Sequence, residues 1–229
     1  MRYYVTGKVF PERCNVIIGE IEKDIKICSF KFNCDSSQIL VIIDNTVLDQ
    51  YSAFILAKEI SLTIITSLGY ANGCGYGVEM INICDDNKLS SVYGVGVEEM
   101  KSSNVIKDFA ESLDIAVQNI FYRFSIRDFT KAMTSEMECP FLCYRAIETI
   151  KSNFLTESTS SESDAWESMH KKIGSKASDI MKIKPFADPI RHGNYTEFKE
   201  TDHVQRVEIL KITKDTIDRF KQYLMKVQP

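Results

Sequence analysis

Histidine, tryptophan and proline are scarce in this chain, with three, one and five among 229 residues. The histidines stand apart at 170, 192 and 203, and no Cys-x-x-Cys pair occurs, so the sequence lacks the ligand spacing of a structural zinc site. The seven cysteines, 14, 28, 34, 74, 84, 139 and 143, are odd in number. They read as buried reduced thiols acting as small apolar residues, which fits a reducing cytoplasm. No run approaches eighteen uninterrupted apolar residues, and no membrane span is expected. The opening MRYYVTGKVF has neither the apolar core nor the cleavage site of a secretory leader. Also absent are a G-x-S-x-G elbow and a Gly-Lys-Ser/Thr phosphate loop. No cofactor and no metal are expected.

Excess charge of one sign is absent too. The formal net charge is −4, which argues against a surface given over wholly to nucleic acid. Its distribution is uneven: residues 1–100 carry 8 basic and 13 acidic residues, and residues 101–229 carry 20 and 19. An anionic ligand is better sought in the second part.

The chain is organised as two parts, 1–100 and 101–229, of α+β class. RYYVTGKVF, NVIIGEIE, IKICSFKF and ILVIID are rich in β-branched and aromatic residues and predict a small antiparallel sheet. A helix follows, capped at Thr46 with Asp49 in its first turn, and it should stop near Gly69. LSSVYGVGV reads as a last strand. Between them lies GYANGCGYG. Its order is helix, glycines, strand, the reverse of a dinucleotide fingerprint, but a nucleotide-binding regulator remains one reading of it.

From residue 102 the pattern is helical. Ser102 or Ser103 starts a long amphipathic helix with Val105, Ile106, Phe109, Leu113, Ala116, Ile120 and Phe124 as its apolar set. Pro140 opens PFLCYRAIETIKSNF, with an apolar stripe of Phe141, Tyr144, Ile147 and Ile150. TESTSSESD, 156–164, reads as a flexible polar loop. A helix around AWESMHKKIG ends at Gly174, and Pro185 breaks or restarts the next. Thr201 and Asp202 cap a helix that runs to about Val227.

FADPIRHGNY, 186–195, carries the chemistry if any segment does. His192 can act as general acid or base near neutral pH. Arg191 can hold a phosphate in bidentate fashion. Gly193 equally marks a helix end with cations placed on its dipole. Asp188 can pair with either neighbour, and Asn194 follows. Arg145 stands next to Tyr144 and one turn before Glu148, where it can form a helix-surface pair or face a groove. Lys171, Lys172, Lys176, Lys182 and Lys184 make the most basic stretch, a candidate nucleic-acid surface or a solvated face.

CYRAIETIKSNF, AWESMHKKIG and ADPIRHG before a long final helix together resemble the HEPN superfamily, helical domains of prokaryotic toxins and antiviral ribonucleases. The resemblance covers roughly 102–227 and implies an all-α HEPN-like bundle that dimerises through the helical domain. It implies RNA as substrate or ligand, cut without metal, with His192 as acid/base and Arg191 and Arg145 neutralising phosphate. Glu148, Asp188, Tyr144 and Asn194 would support them. The family's motif Arg is separated from the His by four to six intervening residues, and at those positions this chain has Ala187, Phe186 or Pro185. That departure leaves a second expectation, a non-catalytic interaction module partnering another protein of a defence or toxin system. The N-terminal part would be an accessory domain.

Overall fold

The structure, a computed structural model, describes residues 1–11, 13–44, 46–93, 97, 100–155 and 161–227. The chain divides into two compact units, Met1–Gly94 and Val95–Pro229.

In the first unit, alternation places one set of side chains on a buried face. The strands are β1 (Tyr3–Phe10), β2 (Ile18–Ile25), β3 (Cys28–Asp35), β4 (Gln38–Asp44), β5 (Gly77–Asp85) and β6 (Ser90–Ser91). They form an antiparallel sheet of order β2-β3-β4-β1-β5-β6. One row, Phe32–Val41–Val5–Ile83, crosses four strands with no residue exposed. Against the sheet lies α1 (Gln50–Asn72), burying Ala53, Phe54, Ala57, Ser61, Ile65 and Gly69.

The bounds differ from the sequence expectation in physically simple ways. Asp49, not Thr46, caps α1, accepting from the Ser52 backbone at 2.9 Å. Thr46 instead accepts from Leu48 N at 3.1 Å. The helix passes Gly69 and ends at Gly73, whose φ of 63° suits a residue without Cβ. Gly69 has a different reason for being glycine: a Cβ there would stand 2.5 Å from the Cys74 carbonyl oxygen. Of LSSVYGVGV only Ser90–Ser91 pair as strand, and 94–96 lie outside the described residues. α1 is long and apolar enough to cross a membrane by length and composition, with 39% of that window buried. Ser61, Thr63, Thr66 and Ser67 interrupt its apolar run, so a search for uninterrupted runs passes over it.

The second unit is helical among the described residues. It holds α2 (Val105–Gln118), α3 (Ile120–Thr134), α4 (Cys139–Ser152), α5 (Glu162–Ile173), α6 (Ala177–Arg191), a 3-10 turn (Tyr195–Glu197) and α7 (His203–Val227). α4 is the central element and packs on α3, α5, α6 and α7. It buries Leu142, Cys143, Tyr144, Ala146, Ile147 and Ile150. The architecture is thus α+β, an antiparallel sheet with a helix followed by a helical unit.

Here too the sequence reading needs correction. The long helix from 102 is two helices. Asn119 is extended (φ −119°, ψ 112°), and its side chain accepts from Tyr122 N at 2.9 Å, ending α2 and capping α3. Most of the apolar set proposed for that helix is exposed, and only Ala116 of it is buried. The core is reached by Ile115, Ala116, Tyr122, Phe129 and Ala132. Residues 156–160 of the expected loop lie outside the described residues, and Ser161 begins a capping box with Asp164 that starts α5. Pro185 does not break α6, which runs on through Pro189. Burial of Ile180, Ile183, Ala187 and Pro189 holds the helix despite two missing backbone donors. Asp202 and Gln205 cap α7 reciprocally, at 2.7 and 3.1 Å.

Four of the seven free cysteines are buried, namely Cys28, Cys34, Cys139 and Cys143. Cys14 and Cys84 are half-buried and Cys74 is exposed, against the expectation of uniform burial.

Candidate functional site

FADPIRHGNY closes α6. His192 is the C-cap, and Gly193 follows with φ 68°. Gly193 N–H donates to the Ile190 carbonyl at 3.2 Å and Asn194 N–H to that of Pro189 at 2.8 Å. These two bonds make a Schellman end. The helix-terminus reading of Gly193 is therefore correct, and it turns the chain so that Arg191 and His192 diverge in role.

Arg191 reaches from α6 to α4. Its guanidinium lies 3.4 Å from Glu148, 3.9 Å from Asp188 and 5.7 Å over the Tyr144 ring. Tyr144 is buried, and burial first, then the Glu148 charge, raises its phenol above the ordinary value. The cluster continues onto α5. Trp166 lies 6.4 Å from Tyr144 and stacks on His170 at 5.9 Å. Lys151, buried on α4, sits 5.4 Å over Trp166 and 3.5 Å from Glu162. His170 Nδ1 is 2.8 Å from Ser175 Oγ. Burial lowers the pKa of this imidazole, with a hydrogen bond to the Ser175 backbone acting the other way.

Arg145 is elsewhere. It does not pair with Glu148. Its Nε and Nη2 donate to the two oxygens of Asp128 on α3, at 2.7 and 2.6 Å. The carboxylate raises the guanidinium pKa although burial opposes it. Arg145 also lies 5.1 Å over Phe141. One arginine thus ties α4 to α3, and the other ties α6 to α4.

His192 is exposed and lines a groove of about 520 Å³ with Pro185, Asp188, Asn194, Glu197 and Lys199. Asp188 Oδ1 is buried and accepts no hydrogen bond from the described residues. Asn194 Oδ1 accepts from Thr196 Oγ1 at 2.7 Å. Two carboxylates against one lysine give the groove no excess of positive charge.

The lysines are distributed over several elements. Lys171 and Lys172 occupy the last turn of α5, where the dipole favours cations, and Lys172 lies 5.5 Å over Phe154. Lys176 is the N-cap residue of α6. Lys182 pairs with Glu208 on α7 at 2.8 Å, and Lys184, also on α6, is half-buried. The Gly-rich stretch lies at the C-terminus of α1, the carbonyl end, which does not favour phosphate. Among the described residues no three His, Cys, Asp or Glu side chains are grouped to hold a metal.

Of the residues singled out from sequence, Tyr144, Glu148, Asp188 and Arg191 come together, and His192 and Asn194 share the groove with Asp188. Sequence reasoning missed Asp128, Lys151, Trp166 and His170 as members of these contacts. Asp128 lies seventeen positions before Arg145, too far for helical spacing to signal the pair.

No curated protein and no solved structure matches this chain. A family model described as "Domain of unknown function (DUF8168) C-terminal domain" matches residues 106–225, just over half of the sequence and nearly the whole helical unit. The chain belongs to the DUF8168 family.

Proposed function

We propose that this protein is a non-catalytic helical interaction module. The observation that carries this reading is the commitment of both candidate arginines: Arg145 forks onto Asp128, and Arg191 meets Glu148 and Asp188. A metal-independent RNA cutter needs a cation aimed at the charge that develops on phosphate. Here those cations neutralise carboxylates and fix the spacing of α3, α4 and α6. In this reading the helical unit presents surfaces to protein partners, among them another protein of a defence or toxin system, and the chain is a degenerate HEPN-like protein. The free cysteines fit a cytoplasmic setting.

A second reading retains RNA cleavage, with His192 as acid/base. Its support is the exposure of His192 in a groove beside Asn194 and Lys199. Incubating the protein with a mixed RNA pool in chelator separates the two. The interaction module leaves the RNA intact. Cleavage that disappears in folded His192→Ala supports the second reading and removes the first.

A further inference from the structure

α2 is amphipathic with its apolar side outward. Ile106, Phe109, Leu113 and Val117 are 83, 65, 50 and 71% exposed. At 100° per residue Ile106, Ala110, Leu113 and Val117 fall within a narrow arc, with Phe109 at its edge. The opposite side carries the buried Ile115, and the buried Ala116 lies at the margin next to Phe109; α2 meets α3 and α7. A contiguous apolar stripe of this kind on a folded unit marks an interaction surface.

The charges beside the stripe favour one occupant. Lys107 and Asp114, both exposed, lie on the same flank, two turns apart. Among the described residues Lys107 has a long 3.8 Å contact with Glu111. In an antiparallel pair of identical helices, a two-fold axis brings each flank against its own copy. With that axis between Ala110 and Glu111, each Lys107 faces Asp114 of the second copy. The same register seats each Leu113 between Ile106 and Phe109 of the other helix, and the small Ala110 at the centre permits close approach. A parallel two-fold would put the two charged flanks on opposite edges of the seam, and Lys107 would meet no Asp114 there.

From this we infer that α2 is a self-association surface that pairs antiparallel with α2 of a second copy. The inference rests on the interaction-module reading and names its partner. α2 is about 21 Å long, so the contact is at the small end of specific interfaces and the dimer is concentration-dependent.

Sedimentation of the full chain over a concentration series tests it. The expected result is a dimer whose fraction rises with concentration. Leu113→Glu is expected to be monomeric throughout, with unchanged helix content and melting temperature, because Leu113 is exposed. Lys107→Glu and Asp114→Lys should each weaken the dimer about tenfold, and the combined swap should restore it. A parent that stays monomeric, whether the stripe is open, covered by the first unit or reserved for another protein, overturns the inference. So does a dimer that Leu113→Glu leaves intact, or a double swap that fails to rescue. These outcomes are read as mass, whereas the interaction-module reading fails on RNA cleavage, so the two failures are distinguishable.

Discussion

Asp128 and Arg145 are joined by two parallel hydrogen bonds, 2.7 and 2.6 Å long, between adjacent helices α3 and α4. The carboxylate is nearly enclosed, with its side chain 5% exposed, while the guanidinium is 41% exposed. The asymmetry decides what removal of each partner does.

Arg145→Ala strands a buried carboxylate. The expected loss is about 2 kcal/mol, below the range for fully buried pairs because Arg145 is partly solvated. Urea unfolding measures it. Arg145→Met combined with Asp128→Leu should recover most of the loss, since no charge is then left unpaired.

Arg191 is a weaker brace. Its contacts with Glu148 and Asp188 are 3.4 and 3.9 Å, and its side chain is 37% exposed. Arg191→Ala and Glu148→Gln are each expected to cost less than about 1 kcal/mol in the same measurement. A larger loss than that of Arg145→Ala would contradict this ranking of the two arginines.

Gly193→Ala isolates a backbone effect. A Cβ there meets nothing within 4 Å, and only the left-handed φ of 68° resists it. The expected cost is about 1 kcal/mol with helix content unchanged.

His170 supplies a pH dependence. Burial places its folded pKa below the ordinary imidazole value of about 6.5. The unfolded chain therefore binds more protons in that window, and stability rises with pH through it. The contribution is complete above the unfolded value and is lost as pH falls through the folded one. Melting temperatures recorded from about pH 8 to about pH 5 should show this loss, and His170→Phe should remove that component.

Much of the fold is visible in local pattern. The alternation of β1, Pro140 in the first turn of α4, Gly174 after α5 and Asp202 before α7 each act through neighbouring backbone, and each stands where the spacing places it. Asn119 escapes such a reading because it interrupts a periodic apolar stretch with a side-chain cap rather than with Gly or Pro. Pro185 misleads for the opposite reason, since tertiary burial of α6 outweighs local chemistry. The exposed stripe of α2 has the same periodicity as a core face, and only packing tells them apart. In the candidate site, Gly193 as a helix end was legible. Arg145–Asp128 and Arg191–Glu148 join different helices at long separations, and no spacing rule reaches them.

The bracing role of Arg145 and Arg191, cations that do not wait for phosphate, is central to this reading of the protein. Its most direct test is RNA cleavage by the parent protein in chelator, beside His192→Ala and Arg191→Ala, each checked for folding. The prediction is that RNA survives equally with all three. Cleavage by the parent that either folded variant loses would contradict it and make the end of α6 an active site.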